Sequence, residues 1–174
     1  MAKPERPDVI LECGAGVSTL VSTAYLASRD ERPPRRGKVI ALEQGLETKR
    51  AVEKRLAKAG FGDLGHVLHA PFDARVSYRY APDDVRALMG QGEVDWVLVD
   101  GPAGPEGCRW ATLPGLARFC RPGARWFLDD ALRDGELVIL RQWSRLPGIV
   151  VEGIHPVGKG LATGVINDPE KVTL

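Results

Sequence analysis

The chain has 174 residues, of which 44% are hydrophobic and 27% are charged, a composition typical of one soluble globular domain spanning residues 1–174. Its formal net charge of +1, from 24 basic and 23 acidic side chains, excludes the strongly basic surface by which proteins attract nucleic acids or anionic membranes. No apolar run approaches the roughly 18 residues of a membrane span, and the cysteines lack metal-ligand spacing, so we expect a cytoplasmic protein with reduced cysteines.

Short apolar runs bounded by turn residues predict five buried strands. These runs lie at residues 9–11, 39–42, 66–68, 96–99 and 125–128. Their apolar character is continuous rather than alternating, which is typical of a parallel sheet that is covered on both faces.

Helical patterns follow the strands, with apolar residues recurring at three- and four-residue spacing. The predicted helices lie at residues 17–24, 52–59, 85–89, 113–120 and 139–146. Gly60 and Gly90 are expected to end the second and third helices, and Pro122-Gly123 the fourth. Five alternations of strand and helix predict an α/β fold with a doubly wound, Rossmann-like, mostly parallel sheet.

The last part of the chain changes pattern. Two strand-like runs at residues 149–154 and 161–166 are joined by a short turn without an intervening helix. Such runs pair antiparallel. The predicted sheet therefore ends in a C-terminal antiparallel hairpin.

A glycine-containing turn, residues 12–19, leads from the first predicted strand into the first helix. Gly14 and Gly16 let the backbone turn sharply and approach a ligand without interference from a Cβ atom. Ser18 or Thr19 is placed to cap or line the start of the helix. A buried Glu12 carboxylate is costly unless it is paired or ligand-bound, which favours a ligand-binding turn over a simple strand–helix connection.

The second predicted strand ends in another carboxylate, Glu43, followed by Gln44. An acid at this position is well placed to accept hydrogen bonds from both ribose hydroxyls of an adenosine. A G-x-G-x-x-G turn would need a third glycine where Thr19 stands, and Glu12 would repel a pyrophosphate. The sequence therefore favours S-adenosylmethionine, whose methionine end carries an ammonium group, over the cofactor of a nicotinamide-dependent oxidoreductase.

Four segments, taken in order, resemble motifs of the class I S-adenosylmethionine-dependent methyltransferases, including small-molecule O-methyltransferases. These segments are residues 12–18, 39–43, 95–102 and 121–130. The resemblance implies that the glycine turn surrounds the methionine part, that Glu43 holds the ribose and that Asp73 either lies near adenine or caps a helix. The predicted cofactor-binding residues are Glu12, Gly14, Gly16, Ser18, Thr19, Glu43, Gln44 and Asp73.

Three carboxylates are expected to meet at the same edge of the sheet, because Asp100 ends the fourth predicted strand and Asp129-Asp130 end the fifth. They would repel one another unless a cation joined them, and Mg²⁺ prefers such oxygen ligands. The arrangement resembles the metal-dependent catechol-type O-methyltransferases, with Asp130 in place of their usual Asn. Residues 101–104, however, contain no lysine where those enzymes carry a lysine base. Two alternatives stay open: an Mg²⁺ site, or a metal-free site in which Asp100 is the catalytic group.

The Gly- and Pro-rich residues 101–108 predict an active-site loop. Beyond it, Arg109 and Trp110 are placed where they could contact substrate, but we expect Arg109 to be an exposed side chain and Trp110 a core side chain. The expected acceptor is a hydroxyl of a small molecule or sugar, and a homodimer is compatible with the sequence. Because only seven residues precede Asp8, where related enzymes have a helical cover, a non-catalytic cofactor-binding domain is the alternative.

Overall fold

The computed structural model describes residues 6–29 and 37–173. The strands are β1 (Val9–Cys13), β2 (Lys38–Glu43), β3 (Gly65–His69), β4 (Phe72–Asp73), β5 (Ser77–Tyr78), β6 (Val94–Val99), β7 (Cys120–Asp129), β8 (Ile149–His155) and β9 (Leu161–Ile166). The helices are α1 (Val17–Arg29), α2 (Leu46–Lys58), α3 (Pro82–Met89), α4 (Thr112–Leu116) and α5 (Asp134–Trp143). None of the helices in these described ranges combines the length and apolar character that crossing a bilayer requires.

Seven strands form one sheet in the order β3-β2-β1-β6-β7-β9-β8. The neighbours from β3 to β7 pair in parallel, whereas β9 pairs antiparallel with both β7 and β8. The predicted doubly wound sheet and its C-terminal hairpin are thus confirmed. The strand order reverses between β1 and β6, which places a crevice at the carboxyl ends of these strands.

The core is formed where the continuous apolar strands meet the helices on both faces. All five residues of β1 are buried, as are the last five residues of β2. On β7, Trp126 packs edge-to-face against Trp143 of α5, with ring centroids 5.5 Å apart. This packing fixes the ends of β1, β2, β6 and β7 that carry the candidate site.

The fourth predicted helix differs from the structure. Helix α4 is followed by a 3-10 turn, and Cys120 already belongs to β7, so Pro122 and Gly123 lie inside a strand. The β6–β7 pairing shifts there from Val94 opposite Cys120 to Trp96 opposite Arg125. Gly123, with φ +84°, accommodates the resulting bulge, which the sequence pattern could not distinguish from a helix end.

A short hairpin, which the sequence analysis did not predict, follows β3. Strands β4 and β5 pair antiparallel, with Phe72 opposite Tyr78 and Asp73 opposite Ser77. Two-residue strands are too short to produce a periodic pattern. The hairpin lies beside the loop that follows β6, because a Cβ atom on Gly104 would come within 3.6 Å of the Phe72 ring.

Candidate active site

A cleft of about 570 Å³ opens at the carboxyl ends of β1, β2 and β6. Its walls are residues 14–18 of the glycine turn, residues 43–45 with Thr48, and residues 100, 101 and 103 of the loop after β6, together with Tyr78. The structure thus brings most of the predicted cofactor residues and Asp100 to one cleft. The predicted residues that line it are Gly14, Gly16, Ser18, Glu43 and Gln44.

The two glycines of the turn have different structural roles. Gly14 has φ +92°, and a Cβ atom there would lie 3.3 Å from the Asp100 carbonyl oxygen. Gly16 has no other atom within 4 Å of its ideal Cβ position, so its missing side chain leaves open space in the cleft. Gly14 therefore lets the β1 and β6 ends approach each other, whereas Gly16 keeps the cleft accessible.

Glu12 and Thr19 lie behind the glycine turn and are not part of the cleft wall. Glu12 is 1% exposed, and its carboxylate accepts hydrogen bonds of 2.7 Å from both Thr19 Oγ1 and Ser22 Oγ. Thr19 Oγ1 in turn accepts from the Gly16 N–H at 3.1 Å. Burial raises the pKa of Glu12, and the hydroxyl donors oppose that shift. Glu12 and Thr19 therefore hold the backbone of the glycine turn in place through hydrogen bonds from its buried side.

Glu43 connects the second strand to the glycine turn. Its Oε2 accepts from the Ala15 N–H at 2.9 Å, and its Oε1 accepts from the Gly45 N–H at 2.7 Å. Each carboxylate oxygen can accept more than one hydrogen bond, so Glu43 retains acceptor capacity toward the cleft.

Gln44 fastens the loop after β6 to the end of β2. Its side-chain amide donates to the Ala103 carbonyl at 3.0 Å, and its carbonyl accepts from the Ala103 N–H at 2.9 Å. This double hydrogen bond fixes the third wall of the cleft. Asp73, by contrast, lies outside the lining residues, and its carboxylate accepts from the Arg75 N–H at 2.9 Å.

The three aspartates predicted at the sheet edge do come together. Asp100, Asp129 and Asp130 each offer a carboxylate oxygen, and these oxygens lie within 4.8 Å of one another. Asp130 has a left-handed backbone, with φ +59°, and pairs with Arg133 at 2.6 Å. Burial raises the pKa of Asp100; nearby Arg109 opposes this shift, and the other two aspartates add to it.

Arg109 lies beneath this acidic cluster and is only 6% exposed, so the expectation of an exposed arginine is wrong. Its guanidinium donates to the backbone carbonyls of Asp100 and Asp129, both at 3.2 Å. It also lies 3.5 Å from the Asp100 carboxylate and 3.7 Å from that of Glu136. The three aspartates that the sequence places at this edge were the one indication that a buried cationic side chain would lie near them. Trp110, expected in the core, is 37% exposed.

A second cavity of about 400 Å³ lies on the other side of the 101–108 loop. Its walls come from residues 102–106, from Cys108 and Arg109, and from residues 133–136 at the start of α5. Five of these lining side chains are charged: Glu106, Arg109, Arg133, Asp134 and Glu136. Ala103 lines both cavities, whereas Asp100 lines the first.

The sequence matches one family model, described as a methyltransferase domain, over residues 11–131. No curated protein matches the sequence significantly.

Several solved structures share the fold. An O-methyltransferase from Bacillus cereus in complex with SAH superposes with a TM-score of 0.66 at 18% identity, covering 92% of this chain and 74% of the other. The SAH-bound methyltransferase PaMTH1 from Podospora anserina gives 0.66 at 20% identity, with coverage of 93% and 73%. The O-methyltransferase TomG from Streptomyces achromogenes, involved in tomaymycin synthesis and crystallised with SAM, gives 0.65 at 21% identity, with coverage of 93% and 74%.

Proposed function

The chain belongs to the methyltransferase domain family, and from that premise we propose that it transfers a methyl group from S-adenosylmethionine to a hydroxyl of a small polar acceptor. The observation that carries the proposal is the cleft at the strand-order reversal, which joins the glycine turn, Glu43 and Asp100. Binding of SAH or SAM by the Bacillus cereus and Streptomyces achromogenes proteins, which share the fold, supports the choice of cofactor.

The cofactor would lie along the cleft from the glycine turn to the end of β2. Gly14 and Gly16 give its methionine part close access to the backbone, with Ser18 beside it. Glu43 has the acceptor capacity to bind the ribose diol and already holds the turn through the Ala15 N–H. The hydrogen bonds of Glu43 thus fasten the glycine turn to the end of β2, and this limits the ordering cost of binding.

The acceptor would occupy the second cavity, on the far side of the 101–108 loop. Its charged lining suits a hydroxylated molecule such as a sugar better than a flat apolar ring. The transferred methyl group breaks its bond to sulfur as the acceptor oxygen forms the new bond, and alignment of the two centres is the main requirement.

Asp100 is the group we propose to act on the acceptor hydroxyl. It lines the first cavity close in the chain to Ala103, which lines both, and its raised pKa brings it closer to the range useful for a general base. The proton of the acceptor hydroxyl would pass to the Asp100 carboxylate as the oxygen attacks. Activity should therefore rise with pH through the pKa of Asp100.

A divalent cation is the alternative way to activate the acceptor. Asp100, Asp129 and Asp130 have the oxygen ligands and the spacing to hold Mg²⁺, which would lower the pKa of a bound hydroxyl. Arg109 and Arg133 already offset part of the charge that would attract the ion. We therefore propose that transfer does not need the metal. Activity lost with a chelator and restored by Mg²⁺ would contradict this.

The test of the function has two steps. Calorimetric titration with S-adenosylhomocysteine and, separately, NADH distinguishes a methyltransferase from a nicotinamide-dependent enzyme; we expect only the first to bind. Incubation with labelled S-adenosylmethionine and a panel of sugars, polyols and catechols then detects transfer. Cofactor binding without transfer to any acceptor would favour the non-catalytic alternative.

A further inference from the structure

We propose that the Tyr78 hydroxyl hydrogen-bonds to the methionine part of the bound cofactor. This inference rests on the proposed function and adds to its site a residue that no sequence motif marks. Three features of Tyr78 support it: an unpaired hydroxyl, a strained neighbour, and contact with the glycines of the cleft.

The hydroxyl of Tyr78 is unpaired although the residue is only 4% exposed. Among residues 6–29 and 37–173, no group forms a hydrogen bond with this oxygen, whereas the Tyr78 backbone N–H donates to the Val76 carbonyl at 2.7 Å. Tyr78 lines the cleft. The oxygen is not enclosed by protein, unlike the unpaired indole nitrogens of Trp96 and Trp126, so a ligand in the cleft can reach it and become its partner.

The backbone before Tyr78 is held in an unfavourable conformation. Ser77 has φ +62°, a left-handed value that is uncommon for serine, and it is fully buried. Its Oγ donates to the Cys108 carbonyl at 2.7 Å and accepts from the Ala111 N–H at 3.2 Å. These bonds hold Ser77 in this conformation and so fix the position from which Tyr78 enters the cleft.

The position of the hydroxyl identifies the part of the ligand that it meets. An ideal Cβ atom on Gly101 would lie 2.3 Å from the Tyr78 oxygen and 3.0 Å from the Gly14 nitrogen. The hydroxyl therefore lies where the glycine turn meets the Asp100–Gly101 segment. In the proposed complex this end of the cleft receives the methionine part, whereas Glu43 holds the ribose.

The chemistry of the phenol fits a hydrogen-bonding role. Burial raises the pKa of Tyr78 well above its usual value of 10.0, with the nearby Cys13 and Glu43 adding to the shift. The side chain therefore stays neutral and can both donate and accept a hydrogen bond. The ammonium and carboxylate of the methionine part are partners of the kind that form the stronger, charge-assisted bonds.

The experiment compares Tyr78→Phe with Tyr80→Phe, using two ligands. Tyr80 is the matched control, because it lies two residues away and its hydroxyl donates a long 3.4 Å bond to the Gly115 carbonyl outside the cleft. Affinities are measured by calorimetry for S-adenosylhomocysteine and for methylthioadenosine, which lacks the amino-acid end. We expect Tyr78→Phe to weaken S-adenosylhomocysteine binding about tenfold and to leave methylthioadenosine binding unchanged.

The other outcomes each have a distinct meaning. Equal weakening for both ligands would place the hydroxyl at the nucleoside and overturn the assignment, as would no weakening for either. A lower melting temperature for Tyr78→Phe with unchanged ligand selectivity would show a purely structural role. If the wild-type protein binds neither ligand, the proposed function itself fails, and this inference fails with it.

Discussion

At the glycine turn, Glu12 and Glu43 are satisfied by hydroxyl and backbone N–H donors, whereas at the acidic edge Asp100 and Asp130 face arginines. The first arrangement uses neutral, short-range donors that fix geometry. The second uses opposite charges, with Arg109 shared among several acceptors. The glycine turn is thus held by hydrogen bonds to neutral donors, and the acidic edge by contacts between opposite charges.

This difference predicts different responses to mutation. Removing a neutral donor leaves one acceptor without a partner, whereas removing Arg109 leaves the buried Glu136 carboxylate uncompensated and two backbone carbonyls without a donor. The stability of the acidic edge should therefore depend mainly on Arg109. Each substitution around the glycine turn should have a smaller effect, on ligand affinity or on the pH dependence of stability. Four substitutions test that contrast.

The largest effect is expected for Arg109→Met, which keeps most of the side-chain volume but removes the charge beneath Asp100, Asp129 and Glu136. The Arg109–Glu136 pair is buried on both sides, whereas the Asp100 carboxylate is largely exposed. Breaking a buried ion pair from one side costs about 3–5 kcal/mol of unfolding free energy. Urea denaturation measures this loss. Arg133→Met, which removes a half-exposed partner of Asp130, is the control and should cost less than about 1 kcal/mol. Similar losses for both variants would remove the contrast between the two sides.

Gly16→Val should have the next largest effect. It should lower the affinity for S-adenosylhomocysteine and leave the stability of the fold unchanged. The new side chain fills open space in the cleft, so we expect S-adenosylhomocysteine affinity to fall at least about a hundredfold, or about 2.7 kcal/mol. Gly62→Val is the matched control, because its Cβ position is also open but lies outside the cleft. Calorimetry together with circular dichroism separates blocked binding from unfolding, and normal binding by Gly16→Val would place the ligand elsewhere.

Glu43→Ala should weaken S-adenosylhomocysteine binding by about 1–3 kcal/mol, the range for losing hydrogen bonds to a charged group. The substitution also frees the Ala15 N–H, so part of the loss reflects a looser turn. Adenosine is the informative second ligand, because a ribose contact predicts a similar loss for it. Glu47→Ala, at the start of α2 and outside the cleft, should bind normally. Unchanged affinity for Glu43→Ala would remove this residue from the ribose site.

The smallest effect is expected for Glu12→Gln, and it is a change in how the stability of the protein depends on pH. Burial raises the pKa of Glu12 in the folded state above its usual value of 4.5. The protonated Glu12 side chain therefore contributes its full share of stability at pH values below 4.5. The contribution is lost as pH rises through the folded-state pKa. Melting temperatures from pH 4 to pH 8 should therefore fall more for the wild type than for Glu12→Gln. Parallel curves would show that the Thr19 and Ser22 hydroxyls cancel the cost of burial.

The sequence predicted the residues that meet at the glycine turn better than the surroundings of the acidic edge, for a physical reason. The glycine turn and its acid lie within eight consecutive residues, 12–19, and Glu43 ends a clearly apolar strand. Arg109, by contrast, contacts groups from β6, β7 and α5, which only the folded chain brings together. Tyr78 was missed because β5 is too short to show a pattern. Pro122-Gly123 was misplaced because a bulge and a helix end share the same residues.

The left-handed backbone of Asp130 limits how this site can change in evolution. At φ +59° most side chains are disfavoured, and asparagine and aspartate are, after glycine, the residues best tolerated. A single nucleotide change can therefore add or remove one negative charge while the backbone stays in place. Position 130 is therefore a point at which the charge of the acidic edge can change without a change of fold.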